Sequence, residues 1–354
     1  MDGDGIGPEI VPEAVRVVQA AASMKEDLDI EWVHLPVGYA SLLERGETLP
    51  ESTLSGLAGL DGWILGPIGH MDYPKDKPRA VNPHPIIRKR FSLHSNIRPA
   101  RSHPSISSIH EDVDLVIVRE NNEGFQPDRN VFAGSGEFMP SPDMVVSVRV
   151  ISRGNSEFVA RTAFELARER GARRRVTIVH KNTVFKLGCG LFVDCCREVS
   201  SDYPEIQCDE VVVDTFAMRL AMAPQEFDVI VTTNMFGDIL SDEAAGLVGG
   251  LGMAPGLCVG PKYAMAQATH GSAPDIAGRG IANPYAMVVS AAMLMSWLGK
   301  RAGDPSVIEV GDVISRAMDA VLADGQHVTP DLGGSAGSTE MADAVIDQVR
   351  RVEA

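Results

Sequence analysis

In the stretch "NMFGDILSDEAAG", residues 234–246, Asp238 and Asp242 stand four apart among apolar neighbours. On a helix that spacing stacks both carboxylates on one face, where two like charges cost stability unless a cation joins them. Asp214 follows the apolar run "EVVV", and "FDVIVTT" leads into the stretch that carries the other two. In α/β sheets, ligands gather beyond the carboxyl ends of strands. Three carboxylates converging there would make an oxygen-rich site for a hard cation, Mg²⁺ or Mn²⁺. A solvated helix face with two unpaired acids fits the same spacing, although Met235, Phe236, Ile239 and Leu240 suggest a turn that is partly buried.

Cations stand at other strand ends. Arg119 closes "DLVIV", Lys181 closes "RVTIVH", and Arg88 and Arg98 bracket "RKRFSLHSNIR". Arginine forks bind carboxylates bidentately, so three of them suit a substrate with more than one carboxylate. A lysine buried near a metal can have its pKa lowered enough to act as a base. Two glycine-bearing stretches remain. "GDGIGPEI" (3–10) opens a helix with an early Pro8, and is not a GxGxxG fingerprint. "THGSAPDIAGRGIANP" (269–284) is a polar loop leading into a helix. Its backbone N–H groups suit a nucleotide and Asp275 could accept from ribose hydroxyls; a plain turn-rich connector fits equally well.

The elements that must hold these residues alternate. "GWILG" (62–66), "DLVIVRE" (114–120), "RVTIVHK" (175–181), "EVVVDTF" (210–216) and "FDVIVTT" (227–233) read as short buried strands. Helical patterns cover 9–24, 156–171, 188–203, 283–299 and 307–325, which predicts an α/β fold with helices over a largely parallel sheet. The Gly/Pro-rich stretch 124–146 predicts an excursion such as an arm or lid. With 354 residues, the chain is too long for one ordinary core, so two lobes are expected. A net charge of −16 argues against nucleic acid or an anionic membrane as partner, and no apolar run reaches transmembrane length. Any anionic substrate must then be held by a local cluster of cations or a metal. Five cysteines without a CxxC pair predict reduced thiols in a cytoplasm.

"GDGIGPE", "RKRFSLHSNIRPA", "VRENNEG", "HKNTVFK", "VDTFAM", "NMFGDILSDEAAGLVGGLG" and "HGSAPDIAGRGIANP" occur in this order through nearly the whole chain. Together they resemble the β-decarboxylating dehydrogenases that act on isocitrate, 3-isopropylmalate, homoisocitrate and tartrate or malate. The resemblance implies a two-lobed α/β fold with a central mixed sheet flanked by helices, the active site in the cleft, and a homodimer with shared active sites. Residues 1–95 and 250–354 would form the first, cofactor-binding lobe. Residues 96–249 would form the second, with the dimer interface and a clasping arm near 125–150. By the same resemblance, Arg88, Arg98 and Arg119 grip the malate moiety of a small hydroxy-acid substrate. Lys181 and Asp214 are donated across the dimer interface, and Asp214, Asp238 and Asp242 are the Mg²⁺ or Mn²⁺ ligands. His270, Gly271, Ser272, Ala273, Asp275 and Asn283 match the cofactor loop. Asp275 stands where NADP-using relatives carry a cation, so the cofactor expected is NAD. The implied reaction is oxidation with decarboxylation: Lys181 helps remove the hydroxyl proton while hydride passes to nicotinamide, and an acid protonates the enolate left as CO₂ departs.

The chain departs from that pattern at three places. Gln126 stands where the family has its tyrosine acid; Thr183, with Asn182 before it, replaces an asparagine; and only Met1 and Asp2 precede "GDGIGPE", where an apolar strand is usual. The last departure predicts a gap or exposed edge in the first lobe, with a fragment or misassigned start as the plainer explanation. Before Arg88, "AVNPHPII" places Asn82 and His84 where relatives read the distinguishing substrate group, which favours an isocitrate-like or other small polar hydroxy acid over isopropylmalate. A non-decarboxylating tartrate- or malate-type dehydrogenase, and a catalytically impaired regulatory subunit, are the alternatives that Gln126 raises.

Overall fold

The computed structural model describes residues 1–171 and 173–352. Its strands are β1 (Gly62–Ile64), β2 (Ser95–Arg101), β3 (Asp114–Glu120), β4 (Glu137–Ser141), β5 (Met144–Ser147), β6 (Arg175–His180), β7 (Gln207–Val212), β8 (Val229–Thr232), β9 (Leu257–Val259) and β10 (Ala264–Ala266). The helices are α1 (Gly7–Ala22), α2 (Gly38–Arg45), α3 (Glu51–Leu57), α4 (Pro83–Arg90), α5 (Arg153–Arg170), α6 (Gly188–Ser200), α7 (Val213–Met222), α8 (Asn234–Leu247), α9 (Tyr285–Ala302), α10 (Pro305–Asp324) and α11 (Ser338–Val352).

Eight strands make one mixed sheet in the order β1-β10-β9-β2-β3-β8-β6-β7. β9 is antiparallel to both its neighbours, and β2 is antiparallel to β3; the run β3, β8, β6 and β7 is parallel. The parallel half matches the near-continuous apolar runs of β3 and β8, since strands covered on both faces need not alternate. Helices α5 and α6 pack Phe164 and Phe192 on one face of this half, and α7 and α8 pack Phe216 and Leu240 on the other. Around the antiparallel half, α1, α9, α10 and α11 share one apolar cluster with β9 and β10. A separate cluster joins Trp63, Leu65, Ile87 and Phe91.

The sheet corrects one expected element. The strand read over 210–216 ends at Val212, and α7 begins at Val213, so Asp214 sits in the first turn of a helix. A carboxylate is favoured there by the helix dipole. At the other edge, β1 is the last strand. Residues 1–4 run beside it, with Gly66 N donating to Met1 O at 3.0 Å and Asp4 N to Pro67 O at 2.7 Å. Residues 28–37 form neither helix nor strand, and Trp32 and Val33 are exposed on them. The excursion expected at 124–146 holds the β4–β5 hairpin up to its last residue, Ser147, and the hairpin exposes Phe138, Met139, Met144 and Val145.

Candidate active site

Parallel register brings the chemistry to one end of the sheet. Arg119 on β3 pairs with Thr232 on β8, and Val179 on β6 pairs with the same residue. Lys181 follows β6 directly, Asp214 lies just past β7, and α8 starts two residues past β8. β2 runs back along β3 and places Arg98 opposite Ile117.

Helix α8 can approach β3 because residue 237 is glycine. A methyl group there would lie 2.7 Å from both Cβ and Cγ of Arg119. That closeness sets the Asp238 carboxylate against two guanidinium groups. Arg119 Nη1 donates to Asp238 Oδ1, as does Arg98 Nη1 at 3.1 Å, while Arg98 lies 3.9 Å from Asp242. The positive charge that the two aspartates require is thus partly supplied by this chain's own arginines, in addition to any divalent cation. Against the burial that alone would raise it, Arg119 and Arg98 hold the Asp238 carboxyl below its ordinary value. Asp242 is less well compensated: burial, joined by the Asp238 charge, raises its carboxyl despite Arg98.

Arg119 is 4% exposed and its guanidinium is brought down to about 9 by burial and the Arg98 charge. Its second partner is Asn234, whose Oδ1 accepts from Arg119 Nε at 3.1 Å and Nη2 at 2.5 Å. The same oxygen accepts from Gln126 Nε2 at 3.1 Å, and Asn234 Nδ2 donates to Glu120 Oε2 at 3.4 Å. Gln126 therefore holds the residue that orients Arg119. Glu120 is buried and carries an unusual carboxyl: burial and the neighbouring Glu123 raise it to about 7, although Asn122 N and Glu123 N donate to it.

Arg88 and Arg98 each bury a guanidinium whose Nε has no partner among the described residues. Arg88 has no acidic partner among the described residues; its Nη2 donates to Gln267 Oε1 at 2.8 Å. That bond fixes the Gln267 amide, so its N–H group donates to His84 Nε2 at 2.5 Å and leaves the imidazole proton on Nδ1. Burial, with the charges of Arg88, His70 and Arg129, keeps His84 neutral by pushing its pKa well down. Asn82, expected among the substrate-reading residues, is the N-cap of α4, its side chain accepting from His84 N at 3.1 Å.

The 269–284 loop lies against the chain's first turn. Glu9 accepts from Gly278 N and, at 2.7 Å, from Gly280 N, and Ile6 N donates to Ser272 O at 2.9 Å. "GDGIGPE" is therefore a brace for that loop. Asp4 braces a second one, accepting from Tyr39 N, Gly69 N and the Tyr73 hydroxyl. Gly271 and Asp275 are exposed, Ser272 and His270 are half-buried, and Ala273 is held at φ +40°. Asn283 is buried instead, donating to Asp331 at 2.9 Å and accepting from Tyr285 N, so within this chain it positions the loop's end.

Lys181 and Asp214 form an ion pair at the far parallel edge, and the Lys181 hydrogen bond holds the Asp214 carboxyl down. Within one chain Asp214 does not join Asp238 and Asp242. Among the described residues, no three His, Cys, Asp or Glu side chains converge as a metal site.

Sequence reasoning missed Asn234, Gln267, Glu9 and Asp4 as organising residues. All four act through partners distant in the chain. For Asn234, Glu9 and Asp4, membership in the quoted motifs was the available signal.

A mixed α/β sheet with guanidinium groups and carboxylates gathered at one strand end marks the class, and comparison with known proteins gives the family. The isocitrate/isopropylmalate dehydrogenase family model matches residues 1–345, and the chain belongs to that family. It is 39% identical over 340 residues to a 3-isopropylmalate dehydrogenase of Methanothermobacter thermautotrophicus, covering 96% of this chain and 94% of that one. It is also 39% identical over 350 residues to an isocitrate/homoisocitrate dehydrogenase of Thermus thermophilus, covering 99% and 97%. The crystal structure of isocitrate dehydrogenase from Methylococcus capsulatus superposes with a TM-score of 0.85 at 39% identity, over 99% of this chain and 98% of that one.

Proposed function

We propose that the protein oxidises a 2-hydroxy di- or tricarboxylic acid with NAD, with loss of CO₂, in a cytoplasm. One observation carries this reading. Arg88 and Arg98, 8% and 7% exposed, keep buried N–H groups without partners among the described residues. Unsatisfied buried donors on a cation are costly unless a ligand supplies the acceptor, and carboxylates match the guanidinium fork. In a chain of net charge −16 such a cluster is a local exception to the prevailing field.

Asp238 and Asp242 offer hard oxygen donors from one helix face, with side chains 52% and 54% exposed, and the poorly compensated Asp242 leaves demand for a further cation. These residues fit Mg²⁺ or Mn²⁺, with Asp214 of a second copy as a third ligand. The bound cation would polarise the substrate's oxygen. Lys181, already paired with Asp214, would take the hydroxyl proton, and Arg88, Arg98 and Arg119 would hold the carboxylates so that the reacting carbon is fixed. NAD would lie along 269–284, where exposed Asp275 has no ion-pair partner among the described residues and would repel a 2′-phosphate.

The separation of Lys181 and Asp214 from the other carboxylates supports a homodimer with shared sites. Exposed Met218 and Met222 on α7, Met235 and Ile239 on α8, and the apolar β4–β5 hairpin give such a dimer its contact surface. Two lobes, 1–95 with 250–354 and 96–249, would close on the substrate. The test is NADH formation from a panel of hydroxy di- and tricarboxylic acids with NAD and Mn²⁺. Turnover that needs both the hydroxy acid and the metal is expected. Absence of turnover with every member would overturn the reading.

A further inference from the structure

We propose that Arg129 is a specificity-determining residue, a fourth substrate-binding arginine that receives a third carboxylate. This rests on the hydroxy-acid reading above and adds to it. Arg129 lies in the turn that follows Gln126, its N–H donating to Gln126 O at 3.1 Å, so the chain that positions the Asn234 network also positions this guanidinium. Lys89 Nζ donates to Arg129 O at 3.0 Å, which ties the turn to α4, the helix of His84 and Arg88. The Arg129 side chain is only 9% exposed. Asp128 takes Nε at 3.0 Å and Nη2 at 3.1 Å, while Nη1 has no partner among the described residues. Burial weighs against its charge and Asp128 supports it, with Arg88 and Glu120 both close enough to act on it.

The cations are unevenly matched. Arg98 and Arg119 share Asp238, and Arg129 has Asp128, but Arg88 has no carboxylate among the described residues and His84 is neutral. Arg88, Arg98 and Arg119 suffice for a substrate with two carboxylates. The charge left beside α4, from Arg88 and the free edge of Arg129, is where a further anionic group would be stabilised. An alkyl group placed there would desolvate two guanidinium groups and satisfy neither.

The experiment is steady-state kinetics with NAD and Mn²⁺ on isocitrate (three carboxylates), malate (two) and 3-isopropylmalate (two and an alkyl group). Wild type, Arg129→Met and Arg129→Lys are compared. Wild type should have its highest kcat/KM on isocitrate. Arg129→Met should raise KM for isocitrate by about 10–100-fold, the loss of one charge-assisted hydrogen bond, and leave KM for malate nearly unchanged. Arg129→Lys keeps the charge without the fork, and should recover part of that loss on isocitrate alone. It also serves as the test if the methionine variant does not fold. Equal effects on isocitrate and malate would mean that Arg129 only pins its turn, and would overturn the proposal. So would a wild-type preference for 3-isopropylmalate, which leaves the dehydrogenase reading intact. NADH from none of the three would overturn that reading and this proposal with it.

Discussion

Replacing Gly237 by alanine sets two effects against each other, and the structure decides the sign. Alanine in a helix interior is favoured over glycine by about 0.8–1.0 kcal/mol, so α8 alone would be stabilised. The added methyl, however, would lie 2.7 Å from Cβ and Cγ of Arg119 and 3.2 Å from its Cα. Ordinary contact begins near 3.4 Å, and the obstructing atoms sit at the root of the side chain, on a strand paired on both edges. β3 cannot yield, so α8 must move by a large fraction of an ångström. Such overpacking typically costs about 1–3 kcal/mol, which exceeds the propensity gain and leaves a net loss near 1 kcal/mol. The functional loss should be larger, because Asp238 is the next residue and its bonds to Arg98 and Arg119 move with it. A misplacement of about 1 Å can lower kcat/KM by roughly 10²-fold. Urea unfolding followed by circular dichroism, and kcat/KM on the best hydroxy acid, measure both. A variant as stable as wild type or more so, with unchanged kcat/KM, would refute the close-approach reasoning.

Mn²⁺ is expected to raise the unfolding midpoint of wild type; Asp238→Asn should remove that rise and abolish turnover, with an unchanged circular dichroism spectrum, and undiminished turnover would contradict the metal assignment. Glu120, raised from 4.5 to about 7, keeps its proton in the folded state over a range where the unfolded chain has lost it. Stability should therefore fall as pH rises from about 4.5 to 7, by on the order of 3 kcal/mol from this group. Urea unfolding at pH 5, 6 and 7.5 should show a flatter profile for Glu120→Gln, and parallel profiles would exclude the effect. Asp275→Lys should erode a preference for NAD over NADP, measured as the ratio of kcat/KM; a ratio near one in the unmodified enzyme would contradict the cofactor assignment.

Local signals carried the parallel half of the sheet. "DLVIVRE" is β3 residue for residue, and the helix patterns over 156–171 and 188–203 fall on α5 and α6 within a few residues. Of the three-residue strands only β1 shows itself, within "GWILG"; β9 and β10 are too short to display a period. β2 was hidden by Pro99 and its two arginines; β9 pairs only with Ser95–Ile97, so Pro99 lies where the strand has a single neighbour and a missing N–H is tolerated. The β-branched run "EVVV" predicts a strand that continues through Asp214, and the strand-to-helix change within it carries no proline or glycine. In the candidate site, residue types and order along the chain were readable. The hydrogen-bond hub was not: Asn234 meets Arg119 and Gln126 across more than a hundred residues, and only folding brings them together.

The central claim is oxidation coupled to loss of CO₂ without a tyrosine at residue 126. NADH and CO₂ measured side by side on the best substrate, for wild type and Gln126→Tyr, test it most directly. The expected result is one CO₂ for each NADH in both, with faster turnover in Gln126→Tyr because a positioned general acid is typically worth about 10²–10⁴-fold in its step. NADH formed without CO₂ by the wild-type enzyme would contradict it.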